Sequence, residues 1–141
     1  MSEYLFAYGT LQPGFAPATM APVVAKLRTI GEGFVYGVLY DLGGYPGAVP
    51  DANSPNKITG TVMELPADAS VLRQLDAYEG FDPEAPEASE YIRELRMVQM
   101  AAGGTVECWF YRYIWKPDPA RAIESGVWRK DTDERSGNGN Q

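Results

Sequence analysis

The sequence predicts a compact α+β domain dominated by strands, with the strands able to close into a barrel. Three observations predict it. Short runs rich in aromatic and β-branched side chains recur along the chain. Only two stretches carry helical spacing. The 141 residues, 45% hydrophobic and 12% aromatic, fit one domain with one real core.

Taken in order, Tyr4 to Thr10 is apolar and aromatic and reads as a strand. It runs into Gly9-Thr10-Leu11-Gln12-Pro13-Gly14, a loop of turn residues. From Thr19 to Ile30 the residues Met20, Val23, Val24, Leu27 and Ile30 follow helical spacing. Pro22 is tolerated in the first turn of such a helix, and Gly31 would close it. Phe34 to Leu42 is a second strand, with Phe34, Tyr36, Val38 and Tyr40 on one face. Gly43-Gly44-Tyr45-Pro46-Gly47 and Asp51 to Asn56 read as loops, and Ile58 to Leu65 as a third strand. Asp68 to Tyr78 is a short helix whose apolar residues are Val71, Leu72, Leu75 and Tyr78, stopped by Gly80. Asp82 to Glu90 is acidic and contains proline, and reads as a solvated loop without the spacing of a calcium site. Tyr91 to Met100 and Thr105 to Trp115 are strands joined by a hairpin at Ala101-Ala102-Gly103-Gly104. Lys116-Pro117-Asp118-Pro119 ends the sheet. One domain is expected over 1–130, and the polar stretch 131–141 reads as a disordered tail.

Composition excludes several chemistries. The formal net charge is −7, from 12 basic and 19 acidic residues. That balance argues against a nucleic-acid or anionic-membrane partner, which would need clustered Lys and Arg. The chain has no histidine, which removes Ser-His-Asp and Cys-His catalysis, His-ligated zinc and a His general base. Its one cysteine, Cys108, allows no intramolecular disulfide and reads as a small buried hydrophobe. The N-terminus lacks a basic leader and no run of 18 apolar residues exists, so the cytoplasm is the expected compartment. Carboxylates, tyrosines, hydroxyls and backbone amides remain for chemistry.

Glu79 is the most informative position. On a helix of 3.6-residue period it shares a face with Leu72 and Leu75, beside Val71 and Tyr78. A carboxylate on an apolar stripe is either a site or frays from the last turn into solvent, and the pattern leaves both open. If it is buried, desolvation and the helix C-terminal dipole both raise its pKa toward the range useful for proton transfer. The second feature is Tyr8-Gly9-Thr10-Leu11, where a strand ends. Unpaired peptide N–H groups there can hold a carboxylate or an oxyanion, and Gly9 allows close approach to the main chain; a bulge or plain turn accounts for the same residues. Tyr45-Pro46 is either a pocket wall or a surface turn. Tyr111 and Tyr113 alternate with Trp109 on one strand face, where tyrosines usually pack but can offer a hydroxyl.

Phe6-Ala7-Tyr8-Gly9-Thr10-Leu11, Gly44-Tyr45-Pro46, Leu75-Asp76-Ala77-Tyr78-Glu79-Gly80, Tyr91-Ile92-Arg93 and Trp109-Phe110-Tyr111-Arg112-Tyr113 follow one another in this order. In that order and spacing the chain resembles the γ-glutamylcyclotransferase-like superfamily, in its AIG2-like branch, from about Tyr4 to Trp115. The acidic stretch between Gly80 and Tyr91 departs from the family pattern. The resemblance implies a small mixed β-barrel, six-stranded or similar, with flanking short helices. It also implies an activity without cofactor or metal on a small-molecule γ-glutamyl or γ-glutamylamine substrate. The α-amine attacks the side-chain carbonyl and releases 5-oxoproline and an amine. The family's glutamate falls on Glu79 as general base and acid. Its strand-end loop falls on Tyr8, Gly9, Thr10 and Leu11 as substrate-binding residues, and Tyr45 and Tyr111 or Tyr113 are expected to assist. The alternative reading is a noncatalytic small-ligand or protein-binding module on the same scaffold. Removal of a γ-glutamyl mask in a biosynthetic pathway would use the same ring closure.

Overall fold

A computed structural model describes residues 2–12 and 14–128; the tail expected at 131–141 lies outside them. The strands are β1 (Glu3–Ala7), β2 (Arg28–Asp41), β3 (Pro46–Pro50), β4 (Lys57–Leu65), β5 (Tyr91–Met100), β6 (Thr105–Tyr113) and β7 (Ala122–Ile123). Two short helices accompany them, α1 (Ala21–Val24) and α2 (Ala69–Glu79). Five strands close a ring. β1 pairs antiparallel with β4, β4 with β2, β2 with β5 and β5 with β6, and β6 returns to β1 in parallel at Leu5↔Trp109. β3 adds to β2 antiparallel and to β6 in parallel, and β7 adds to β2. The fold is therefore the expected α+β small mixed barrel with flanking short helices, with five strands in the closed ring and two outside it.

Alternation along the strands builds two cores. Phe6, Val35, Leu39, Ile58, Val62, Cys108 and Phe110 point into the barrel. Leu5, Ala7, Met63, Leu65 and Tyr111 point outward, and Val71 and Leu75 of α2 cover them. Both faces of the central strands are thus buried, which accounts for their nearly continuous apolar sequence. A barrel this small needs its strands to bend and cross closely. Gly33 and Gly60 are cross-strand partners, and a Cβ at Gly60 would sit 2.4 Å from the Ala7 carbonyl oxygen. Only glycine fits such an approach.

α2 forms as the sequence predicts, and begins where Asp68 accepts a hydrogen bond from the Ser70 N–H at 2.9 Å. Gly80 ends it in the left-handed region at φ 74°. Several other expectations change. The helix expected from Thr19 to Ile30 is only Ala21–Val24, and Gly31 lies inside β2 rather than closing a helix. Met20, Val23 and Val24 are buried as their spacing required, but from Arg28 onward the chain pairs with β4 at Arg28↔Glu64 and Thr29↔Met63. A ladder along β4 satisfies more backbone groups than two further helical turns would. Arg28 also pairs its guanidinium with Glu64. On β2 the aromatic face alternates as read, yet the buried residues are its opposite members Val35 and Leu39, while Tyr36 is exposed. Pro46 and Gly47, read as a turn, begin β3. Proline is compatible with strand ends, where a missing N–H leaves no ladder bond broken.

The sheet does not end at Lys116–Pro119. β7 follows, the Gly126 carbonyl accepts from the Thr59 N–H at 2.8 Å, and Trp128 is only 2% exposed within the barrel core. No helix of the described residues is long and apolar enough to cross a membrane. Trp128 fills part of the barrel core from the end of this last segment. Trp128→Ala is expected to lower the stability by about 3–5 kcal/mol, the usual cost of emptying a large aromatic site. A denaturant melt that moves by less than a quarter of this would show that the barrel is closed without it.

Candidate active site

Glu79 is the last residue of α2, and its place is set by packing three and four residues earlier. Leu75 is fully buried against the barrel, and Gly80 turns the chain away immediately afterwards. The Glu79 side chain is left half-buried at the edge of a cavity of about 300 Å³. Tyr8, Gly9, Thr10, Leu11, Tyr45 and Tyr111 line the same cavity, so all the candidates but Tyr113 converge there. Tyr113 does not line it; its ring packs edge-on against Tyr91 at 5.6 Å.

Among the described residues nothing hydrogen-bonds to the Glu79 carboxyl. Desolvation is the main reason that its pKa rises to about 8, and the charges of Glu90 and Asp76 add to the rise. The carboxyl end of this half-buried residue is the desolvated part, and a desolvated carboxyl without a donor is unusual in a folded protein, where such groups nearly always find partners. The helix terminus does nothing to stabilise its charged form.

The opposite wall is the turn after β1. The Gln12 N–H donates to the Gly9 carbonyl at 3.1 Å, closing the turn, and the Gln12 side chain donates to the same oxygen at 3.3 Å. The peptide N–H groups of Gly9, Thr10 and Leu11 donate to no described residue. The close approach that Gly9 permits is taken by Pro46, since a Cβ at Gly9 would lie 2.4 Å from the proline Cγ. The Tyr91 hydroxyl donates to the Pro46 carbonyl at 2.6 Å and fixes that segment from below. The turn after β1 and the Pro46 segment are therefore one rigid wall.

The tyrosines of the cavity are all engaged. Tyr8 donates to the Tyr111 carbonyl at 2.6 Å, Tyr45 to Glu90 at 2.7 Å, and Tyr111 to Asp76 at 2.7 Å. Thr10 and Tyr78 share a hydrogen bond of 2.8 Å across the rim. Burial pushes the hydroxyls of Tyr8, Tyr91 and Tyr111 well above the ordinary tyrosine range, so they remain protonated. The bond to Glu90 moves Tyr45 to about 12. Burial moves the Cys108 thiol to about 12 as well, and it lies in the barrel core, not at the cavity.

Several residues of the site escaped the sequence reading. Glu90 belongs to the acidic stretch that reads as a solvated loop, but it lines the cavity and accepts from the Tyr45 hydroxyl. The rest of that loop folds on itself, with the Asp82 N–H donating to the buried Ser89 hydroxyl at 2.9 Å. Asp76 is 5% exposed, and Arg93 donates to its two oxygens at 2.8 and 3.2 Å. Its signal was present in the helix spacing, because Asp76 precedes Glu79 by three residues. Among the described residues no group of three or more His, Cys, Asp or Glu could hold a metal ion.

Comparison with known proteins places the fold. No curated protein matches the chain. An AIG2-like protein from Mus musculus superposes with a TM-score of 0.70 at 20% identity, over 91% of this chain and 88% of that one. YkqA from Bacillus subtilis superposes at 0.67 with 23% identity over 91% of this chain, which spans only 40% of the length of YkqA. A gamma-glutamyl cyclotransferase superposes at 0.59 with 14% identity, over 86% of this chain and 74% of that one. These likenesses show a shared fold. Residues 5–130 match the family described as gamma-glutamyl cyclotransferase, AIG2-like, and with nearly the whole barrel inside the match, the chain belongs to that family.

Proposed function

We propose that this protein is a γ-glutamyl or γ-glutamylamine cyclotransferase in which Glu79 carries the proton. The observation that carries this reading is the Glu79 carboxyl, which has no hydrogen-bond donor among the described residues and shares a cavity with the turn of Gly9, Thr10 and Leu11. A cavity of about 300 Å³ is at the small end of ligand sites, which suits a γ-glutamyl group with its amine substituent toward the mouth.

The chemistry is intramolecular. The α-amino nitrogen attacks the γ-carbonyl carbon, a new C–N bond closes the five-membered ring, and the bond to the leaving nitrogen breaks. An α-ammonium must first lose a proton, and Glu79 accepts it. As the tetrahedral centre collapses, the same carboxyl returns that proton to the departing nitrogen. The attacking nitrogen releases a second proton as the lactam forms, and the freed amine takes one up from solvent, so charge and atoms balance. A carboxyl with a pKa of about 8 is suited to both steps, because neither form is strongly favoured near neutrality. The N–H groups of Gly9, Thr10 and Leu11 serve the substrate carboxylate or the developing oxyanion. A rigid wall matters here, since ring closure gains most from a substrate held in a near-attack conformer.

Glu79→Gln is expected to lower 5-oxoproline release by about a hundredfold to ten-thousandfold, the usual range for a lost general base, without unfolding the protein. A panel of glutathione, γ-glutamyl dipeptides, γ-glutamyl-lysine isopeptide and other γ-glutamylamines, scored by mass, checks this. Turnover of none of them by the wild type, with ligand binding retained, would favour a binding module instead. In the wild type kcat/KM should rise with pH and level off above about 8, and Glu90→Gln should move that limb to lower pH by removing a nearby negative charge. A limb that stays in place belongs to the substrate amine.

Stability supplies a separate check. The folded carboxyl titrates near 8 and the unfolded one near 4.5. Between these values the folded protein keeps a proton that the unfolded chain has released. Stability is therefore full below about pH 4.5, falls as the pH rises, and reaches its lower plateau above about 8. Glu79→Gln removes this dependence. Its melting temperature should exceed that of the wild type by a margin that grows between about pH 5 and 9; a margin constant with pH would place the carboxyl in open solvent.

A further inference from the structure

Asp76 is a buried carboxylate on the same helix face as Glu79, yet it does not line the cavity and the proposed chemistry does not use it. Arg93 meets it through Nε and Nη2 at 2.8 and 3.2 Å. The Arg93 guanidinium lies 4.2 Å from the centroid of the Trp109 ring and 5.8 Å from that of Phe81. A fork of donors stacked on aromatic rings has little freedom to turn. A carboxylate gripped on both oxygens by a guanidinium can only accept further hydrogen bonds. Its third donor is the Tyr111 hydroxyl, at 2.7 Å.

That bond decides how Tyr111 meets a ligand. A phenol has one proton, and here it is directed at Asp76. What remains on the cavity side is lone-pair density, so Tyr111 can accept from a ligand N–H but cannot donate to a ligand oxygen. The other wall has the complementary character, since the peptide N–H groups of Gly9, Thr10 and Leu11 donate to no described residue. An α-amino acid headgroup placed between the walls has its carboxylate at the donors and its nitrogen at the acceptor.

We infer that Asp76 and Arg93 are positioning residues: they hold the Tyr111 hydroxyl as an acceptor for the α-amino nitrogen of the ligand, and so confer recognition of that amine. The inference rests on the reading of the cavity as a γ-glutamyl site, but it concerns binding and can be tested without turnover. L-Glutamine is the simplest γ-glutamyl amide, and 4-carbamoylbutanoate is the same molecule without the α-amine. Binding of each is measured by NMR titration to the wild type, Tyr111→Phe and Asp76→Asn.

The wild type is expected to prefer L-glutamine at least tenfold. Tyr111→Phe should lose most of that preference while binding 4-carbamoylbutanoate as before, because only the acceptor oxygen has been removed. Asp76→Asn presents an amide N–H₂ that can no longer satisfy Arg93 and Tyr111 together, and should lose the preference likewise. If burial of an unpaired Arg93 unfolds that variant, Tyr111→Phe still decides. Combining the two substitutions should cost no more preference than either alone, as expected of residues acting through one contact. A wild type that binds both ligands equally, or a Tyr111→Phe protein of unchanged melting curve that keeps the preference, would overturn the inference. Preference for L-glutamine without any 5-oxoproline release would instead leave the inference standing and remove the catalytic reading.

Discussion

A carboxyl that loses its water and gains no donor can lower its free energy only by keeping its proton or by meeting a ligand. Glu79 is in that position. Its placement is not adjustable, because it is fixed by the helix that carries it. Val71 and Leu75 lock one face of α2 onto the outer surface of the barrel. Gly80 then accepts a left-handed turn, and its N–H and that of Phe81 return to the carbonyls of Ala77 and Asp76. The helix terminus is thus satisfied by its own backbone, and the side chain of its last residue is left over for the cavity. Hydrophobic packing on one side of the helix enforces polar frustration at its end.

The barrel supplies the facing wall through its own closure. β1 runs beside both β4 and β6, so its last residues emerge where the ladder stops on two sides. Peptide N–H groups just past that point have no strand to pair with. Pro46 packs against Gly9, and Tyr91 holds the Pro46 carbonyl, so the loose turn is braced from outside the ring by a strand that is not part of it. Donors that are both unpaired and immobile are what an oxyanion requires, since no reorganisation is then needed as charge develops.

The sequence announced this site unevenly. Glu79 stood out because a charge on an apolar helical stripe violates a simple pattern, and Tyr8 to Leu11 because turn residues follow abruptly on a strand. Such conflicts between local pattern and chemistry are where functional residues are expected. Asp76 lay on the same stripe and passed unnoticed, since its meaning depends on Arg93, 17 positions away in the chain and brought to it only by the β5–β6 hairpin. Glu90 was hidden by its acidic neighbours, which have the composition of a solvated loop. The misread helix after Thr19 has a different cause. Met20, Val23 and Val24 carry true helical spacing, but four residues are all that fit before β4 demands a partner strand. A ladder between distant segments has no signature in a window of a few residues.

Two carboxyls three residues apart on one helix receive opposite treatment. Asp76 is held by a stacked guanidinium and a phenol, whereas Glu79 is left with repulsion from Glu90 and from Asp76 itself. Residue type does not distinguish them, because both are acids on the same face with similar intrinsic chemistry. The difference lies in what the sheet presents above each one. Arg93 on β5 and Tyr111 on β6 are cross-strand partners, so one register places both donors over Asp76. A slip of one strand against the other by one residue would turn Arg93 or Tyr111 to the other face and leave Asp76 without one of its donors. The pairing of β5 with β6 is therefore what separates a structural anion from an available acid, and the site depends on strand register as much as on the glutamate itself.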